Sequence, residues 1–271
     1  MSFFSEEIHG IVNVNGGYVR DKCDPEALEL LKSTIGLLAQ AVGSARIRRE
    51  LPNPVKDKAF RCVVGFGALG ISEGQACLLL FSASLDRSAR IHLRSLYEYN
   101  VRARLVSNPE IAVNFLAAAA YEVNEIGSAM GYSDEAIASA ISRFALPPDA
   151  KPGKEGRALG GTMKKIIEQR SGAKEYAGFF AFPSQMSHGS ILALHEVANA
   201  VAGKGAEFPA YVISDGRSNE GLLQATTHIH DLIATIREVC EVGSIIGPLY
   251  DLSKQVHAIR VRLGHVAPTT A

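Results

Sequence analysis

The chain has 271 residues, of which 47% are hydrophobic, with 28 basic and 28 acidic side chains. That apolar content is ample for a real core and excludes an intrinsically disordered chain. The zero charge balance removes the general signature of a nucleic-acid binder, and it lowers the self-repulsion that keeps proteins apart, so a homo-oligomer is expected.

The first residues, MSFFSEEIHG, carry acids early and lack a basic stretch leading into an apolar run, which argues against a secretory signal. Residues 1–22 read as a small irregular or hairpin arm around Asn15-Gly16-Gly17. Asp24-Pro25 is an N-cap followed by proline at the first helical position. Leu28, Leu31, Ile35, Leu38 and Val42 then recur at spacings of three and four, the stripe of an amphipathic helix. Arg46, Arg48 and Arg49 suit its negative end.

After Pro52 and Pro54 the pattern predicts helix from about Asp57 to Val106, broken near Ser82–Asp86. Its most apolar part, Cys62 to Leu85, carries Glu73 and Gln75 near the middle, which makes a poor membrane span and suggests a core helix pair. Ser107-Asn108-Pro109 caps an alanine-rich helix over 111–130 that stops at Gly131, and Ser133-Asp134 opens a shorter one. Residues 147–156 read as a surface loop. Helices are predicted at 157–171 and 185–202, and a loop over 203–218 carries one short strand at Tyr211–Ser214. A last long helix bears Leu222, Ile229, Leu232, Ile236, Val239 and Ile246, and a final amphipathic piece ends near Arg262. The expectation is one all-α domain over 1–271, a bundle of eight to ten helices. The cysteines (Cys23, Cys62, Cys77, Cys240) have no framework spacing and read as reduced thiols of a cytoplasmic protein.

Two stretches carry unusual polar residues. In HLRSLYEYNVRARL, Arg94 and Glu98 share a helical stripe with Ile91, Val101 and Leu105. Charges among apolar neighbours imply a buried or half-buried ion pair, serving either as a clamp between helices or as part of a site. In FPSQMSHGSILALHEVAN, a helix beginning after Pro183 places Ser184, His188, Leu192, His195 and Asn199 on one face, with Ser184 and Ser187 close enough to hydrogen-bond the His188 ring. Such a stripe suits either satisfied core histidines or an imidazole presented to a ligand.

Arg94-Ser95-Leu96-Tyr97-Glu98, Pro109, Tyr176 and Ser184-x-x-x-His188-Gly189 together resemble an uncharacterised bacterial family with R-S-L-x-E and Y…S-x-x-x-H-G elements. The likeness spans roughly residues 60–200. It implies an all-helical fold, no established reaction, and a ligand-facing role for Tyr97 and Tyr176. By its arginine and histidine on bundle helices the chain is more distantly similar to the HEPN superfamily, many of whose members are metal-independent ribonucleases of toxin and phage-defence systems. The HEPN spacing itself, Arg followed by His after four to six residues, occurs at Arg87–His92 and Arg260–His265. With 8 histidines in the chain, two matches are what chance supplies.

His228-x-His230 would point to nearly opposite sides of a helix, so no shared metal is expected there. Gly65-x-Gly67-x-x-Gly70 has the letters of a dinucleotide loop but lies in a helical context without a βαβ unit. No cofactor or metal is implied. Two functions compete. One is a non-catalytic helical binding or oligomerisation module. The other is a HEPN-like ribonuclease acting on RNA or a nucleotide, with His188 as acid–base and Ser184 beside it, Arg94 stabilising phosphate charge and Glu98 orienting Arg94. The second requires Arg94, Glu98 and His188 to meet across two packed helices.

Overall fold

A computed structural model describes residues 23–47, 54–83, 85–147, 150, 218–242 and 246–264, with backbone alone at 54, 87 and 246. Among these run α1 (Pro25–Ser44), β1 (Arg46–Ile47), α2 (Pro54–Ser82), α3 (Asp86–Val106), α4 (Pro109–Ala129), α5 (Asp134–Ser142), α6 (Ser218–Val239), β2 (Cys240–Glu241) and α7 (Ile246–Arg262). This is the expected all-α bundle. The N-terminal arm, the helices expected at 157–171 and 185–202, the strand at Tyr211–Ser214 and most of the 147–156 loop lie outside the described residues.

The helix ends follow their caps. The Asp24 side chain accepts from the Ala27 amide, with Pro25 in the first turn. Asn108 accepts from the Glu110 and Ile111 amides, and Ser133 from the Ala136 amide. Past the end of α1, Arg46 donates to the Gly43 and Ala45 carbonyls, satisfying acceptors the helix leaves open. Gly131 adopts φ 75° just after α4, where a left-handed residue ends the helix without a Cβ penalty.

α2 and α3 form an antiparallel hairpin whose contacts descend in register: Cys77 with Ala89, Glu73 with His92, Phe66 with Tyr99. α6 packs across α1, α2 and α3, α4 packs on α2 and α3, and α7 packs on α6 and α1. Leu31, Leu38, Phe81, Leu93, Leu96, Leu222, Ile229, Leu232 and Ile236 form the centre of the core. Each large aliphatic side chain fully buried there contributes ~1.5–3 kcal/mol.

The glycine pattern of α2 is explained by this packing. A Cβ on Gly67 would meet Ile236 Cδ1 and Val42 Cγ2 at 2.8 Å, one on Gly70 would meet Leu232 Cδ1 at 2.7 Å, and one on Gly74 would meet Ile229 Cδ1 at 2.7 Å. Gly67, Gly70 and Gly74 form a flat stripe on which α6 and α1 lie close, whereas Gly65 faces open space. α2 is the one described helix long and apolar enough to cross a membrane, with a third of that apolar stretch buried in the bundle.

One boundary differs from expectation. The last long helix ends at Val239, and Ile246 belongs to α7. Between them Cys240 and Glu241 pair with Ile47 and Arg46 in a short antiparallel ladder. The apolar spacing continues in phase across the break and hides it. Gly243, Gly247 and Pro248 are the local signals that a continuous helix is unfavourable there.

Candidate functional site

α3 is the polar spine of the bundle. Its buried face carries Leu93, Leu96 and Tyr97 together with Arg90 and Asn100. Beside that face the expected pair forms: Arg94 Nη2 lies 3.3 Å from Glu98 Oε1, and the side chains are 25% and 22% exposed. Arg102 approaches the other Glu98 oxygen at 3.7 Å. Glu98 therefore sits between two arginines one turn away on either side, and the pair is half-buried. Ile91, assigned to the same stripe, is instead 48% exposed, so the stripe tilts out of the core toward its N-terminal end.

Tyr97 points inward, and its ring lies 5.2 Å from that of His228 on α6. His228 is buried, and burial first, then the positive charges of Arg104 and Arg260, push its pKa down to about 4 against the opposing pull of Asp231. It is therefore neutral at physiological pH. Two residues on, His230 faces α7, with Ser253 Oγ 2.8 Å from its Nε2. The two histidines thus meet different neighbours, as their spacing on a helix requires.

Asp231 ties α6 to α3. Its Oδ2 accepts from Arg104 at 2.9 Å and from the Asn100 amide at 3.2 Å, while Oδ1 lies 3.6 Å from His230 Nδ1. Burial alone would raise its pKa, but His230, Arg104 and Asn100 outweigh it and hold the carboxyl below its ordinary range. Two turns of α7 beyond Ser253, Arg260 donates to Thr227 Oγ1 at 3.1 Å.

A separate cluster occupies the α2–α3 seam. His92 Nδ1 lies 2.6 Å from Glu73 Oε2, with side chains 37% and 21% exposed. Burial first, then the negative charges of Glu73 and Glu98, raise the pKa of Tyr99 beside them, so its phenol stays protonated at neutral pH. A carboxylate holding an imidazole next to a neutral phenol is a proton-transfer arrangement open to solvent. Glu73, which sequence reasoning used only to argue against a membrane span, is the partner of His92.

Of the residues singled out in the sequence, Arg94, Tyr97 and Glu98 lie together on α3. Ser184, Ser187, His188, His195, Asn199 and Tyr176 lie outside the described residues, as does His265. Asn100, Arg104, His228, Asp231 and Ser253 were missed as an interacting set, because the contact between Asn100 and Asp231 spans 131 positions and leaves no local pattern. The thiols of Cys62, Cys77 and Cys240 are buried, no disulfide forms among the four cysteines, and burial pushes Cys62 up to about 12, so it is an unreactive thiol. Among the described residues no group of three or more His, Cys, Asp and Glu is placed to hold a metal. Comparison with known proteins leaves this geometry to speak alone: no family model, no curated protein and no solved structure matches the chain.

Proposed function

We propose that the chain is a helical self-association module, in which the polar residues of α3 tie helices together. The reading rests on the α4–α5 hairpin, which exposes three large apolar side chains close together at its turn. Ile126 is 59% exposed, Met130 62% and Tyr132 59%. Scattered apolar side chains are ordinary on a surface, but a group of large ones clustered at the turn of one hairpin is typical of an interface. A second copy of the chain is the fitting occupant, since a chain of zero net charge meets little repulsion from itself. Sedimentation of the wild type beside Met130→Lys and Ile126→Glu tests it. The expected outcome is a dimer or higher oligomer that dissociates in both variants. A monomeric wild type refutes it.

The second reading is a HEPN-like, metal-independent ribonuclease, favoured by the contact between Glu73 and His92 in an open seam. An acid–base group contributes ~10²–10⁴-fold in rate. Incubating total RNA with wild type, His188→Ala and His92→Ala, each with and without EDTA, tests it. Cleavage that resists EDTA and disappears in either histidine variant supports the reading. No cleavage by folded wild type removes it.

A further inference from the structure

We propose that Ser253, His230 and Asp231 form a nucleophilic site at the α6–α7 seam that takes an acyl or phosphonyl group from an activated ester-type donor. The site shares no residue with the Arg94–Glu98 pair or the Glu73–His92 contact, and it goes beyond the self-association reading.

Three observations carry it. Ser253 Oγ lies 2.8 Å from His230 Nε2, within reach for direct proton transfer. On the other side of the ring, His230 Nδ1 faces Asp231 Oδ1 at 3.6 Å. At that distance the carboxylate acts by its charge rather than through a hydrogen bond, favouring the proton on Nδ1 and leaving the Nε2 lone pair for the serine, the tautomer a base needs. Asp231 is itself fixed through its other oxygen by Arg104 at 2.9 Å and Asn100 at 3.2 Å, so its orientation does not depend on the histidine. Nucleophile, base and orienting carboxylate thus follow in order, with Asp231 acting as a positioning residue. The Ser253 hydroxyl also has the Leu249 carbonyl of its own helix as an acceptor, but at 3.4 Å, the longer and weaker of its two contacts. Ser253 is exposed, and the His230 and Asp231 side chains are 25% and 30% exposed, so a small donor reaches all three.

The step balances without a metal or redox partner. Ser253 Oγ attacks the carbonyl carbon and its proton passes to His230 Nε2. The bond from carbon to the leaving oxygen breaks, and that oxygen takes the proton from the imidazolium. Water then adds to the acyl-serine, giving its proton to the same nitrogen and releasing a carboxylic acid and the free hydroxyl. Ser253 lies within a helix, so its own backbone amide is committed to the helix ladder and does not serve the oxyanion. The site therefore favours donors with good leaving groups and turns over slowly.

The test uses the full chain, a fluorophosphonate probe and p-nitrophenyl acetate. The probe loses fluoride as the serine oxygen bonds to phosphorus, leaving a stable adduct that peptide mass spectrometry locates. The expected result is an adduct on Ser253, absent in Ser253→Ala and formed at least about tenfold more slowly in His230→Gln. Asp231→Asn should also slow labelling, with Asp231→Glu recovering part of the rate. Wild type alone should release a burst of p-nitrophenol approaching one equivalent, with acetyl on Ser253, which keeps the test valid if a variant fails to fold. An adduct on another residue, no adduct, or labelling of His230→Gln or Asp231→Asn at the wild-type rate would overturn the proposal and leave the contact as a tie between α6 and α7.

Discussion

His228 should make the fold sensitive to mild acid. Its ring is buried against Tyr97, and its pKa is pushed down to about 4 from an ordinary 6.5. Between those values the unfolded chain takes up a proton that the folded chain refuses, so stability rises with pH across this window and falls as the solution is acidified. At about pH 4.5 the unfolded histidine is almost fully protonated and the folded one only in part, which costs on the order of 2–3 kcal/mol relative to neutral pH. Against a total of ~5–15 kcal/mol for an ordinary domain, that is a large fraction. Asp231 adds a slope of the same sign in a lower window: its carboxyl is held low in the fold, and its contribution is lost as pH falls through that folded value. The perturbation is His228→Gln, which keeps a polar side chain of similar size but cannot titrate. Urea unfolding followed by circular dichroism, at neutral pH and near pH 4.5, gives four free energies. Packing lost with the ring lowers the variant equally at both pH values, so the informative quantity is the difference between the two pH effects. Wild type should lose on the order of 2–3 kcal/mol more than the variant on acidification. Equal losses in the two proteins would show that His228 accepts its proton in the folded state and would refute the argument.

Glu98→Ala leaves Arg94 and Arg102 half-buried without their carboxylate and should cost about 1–2 kcal/mol in urea unfolding, between the values for exposed and buried pairs. A loss above 3 kcal/mol would mean that the pair is buried by something further. Gly221→Ala places a methyl group against the Phe81 ring, and with both positions buried it should lower stability by ~1–3 kcal/mol through overpacking. A melting temperature unchanged from wild type would mean that α2 and α6 are further apart. Asp24→Ala removes both the cap of α1 and the carboxylate that Arg262 grips at 2.7 and 2.8 Å, and should cost ~0.5–2 kcal/mol. Hydrogen exchange should show the first turn of α1 and the last turn of α7 loosening together. Loosening of α1 alone would reduce Asp24 to a cap.

The parts of this fold legible in the sequence are those decided locally. Asp24-Pro25, Asn108-Pro109 and Ser133 announce helix starts because a cap is a contact of two or three residues. The break between α2 and α3 was visible for a similar reason, as was the pairing of Arg94 with Glu98, which lie one turn apart on one helix. The junction of α6 and α7 was not, since apolar spacing ran through it in phase while the deciding contact, Cys240 with Ile47, lay almost two hundred residues away. The glycines of α2 show a further limit. Their spacing matched the letters of a phosphate loop, and only the positions of Leu232, Ile229 and Ile236 on another helix reveal that they make room for side chains.

The same distinction explains why the polar centre of the bundle escaped notice. Asn100 and Arg104 sit one turn apart on α3, as Arg94 and Glu98 do, yet instead of pairing with each other the Asn100 amide N–H and the Arg104 guanidinium both turn to Asp231 Oδ2. A buried amide such as Asn100, only 3% exposed, must find a partner or carry the full cost of desolvation. A helix face that turns an amide N–H and a guanidinium the same way suits a carboxylate on the helix that packs there. Asp231 is that acid, and its position on α6 fixes the rotation of α6 against α3, since turning α6 by one residue would separate the carboxylate from both donors and expose Ile229 or Leu232. The carboxylate, once held by α3 through one oxygen, has its second oxygen left to face His230. Packing of α3 on α6 thereby orients the ring that meets Ser253 of α7, so a contact made for the fold also sets the geometry of the seam where chemistry is proposed.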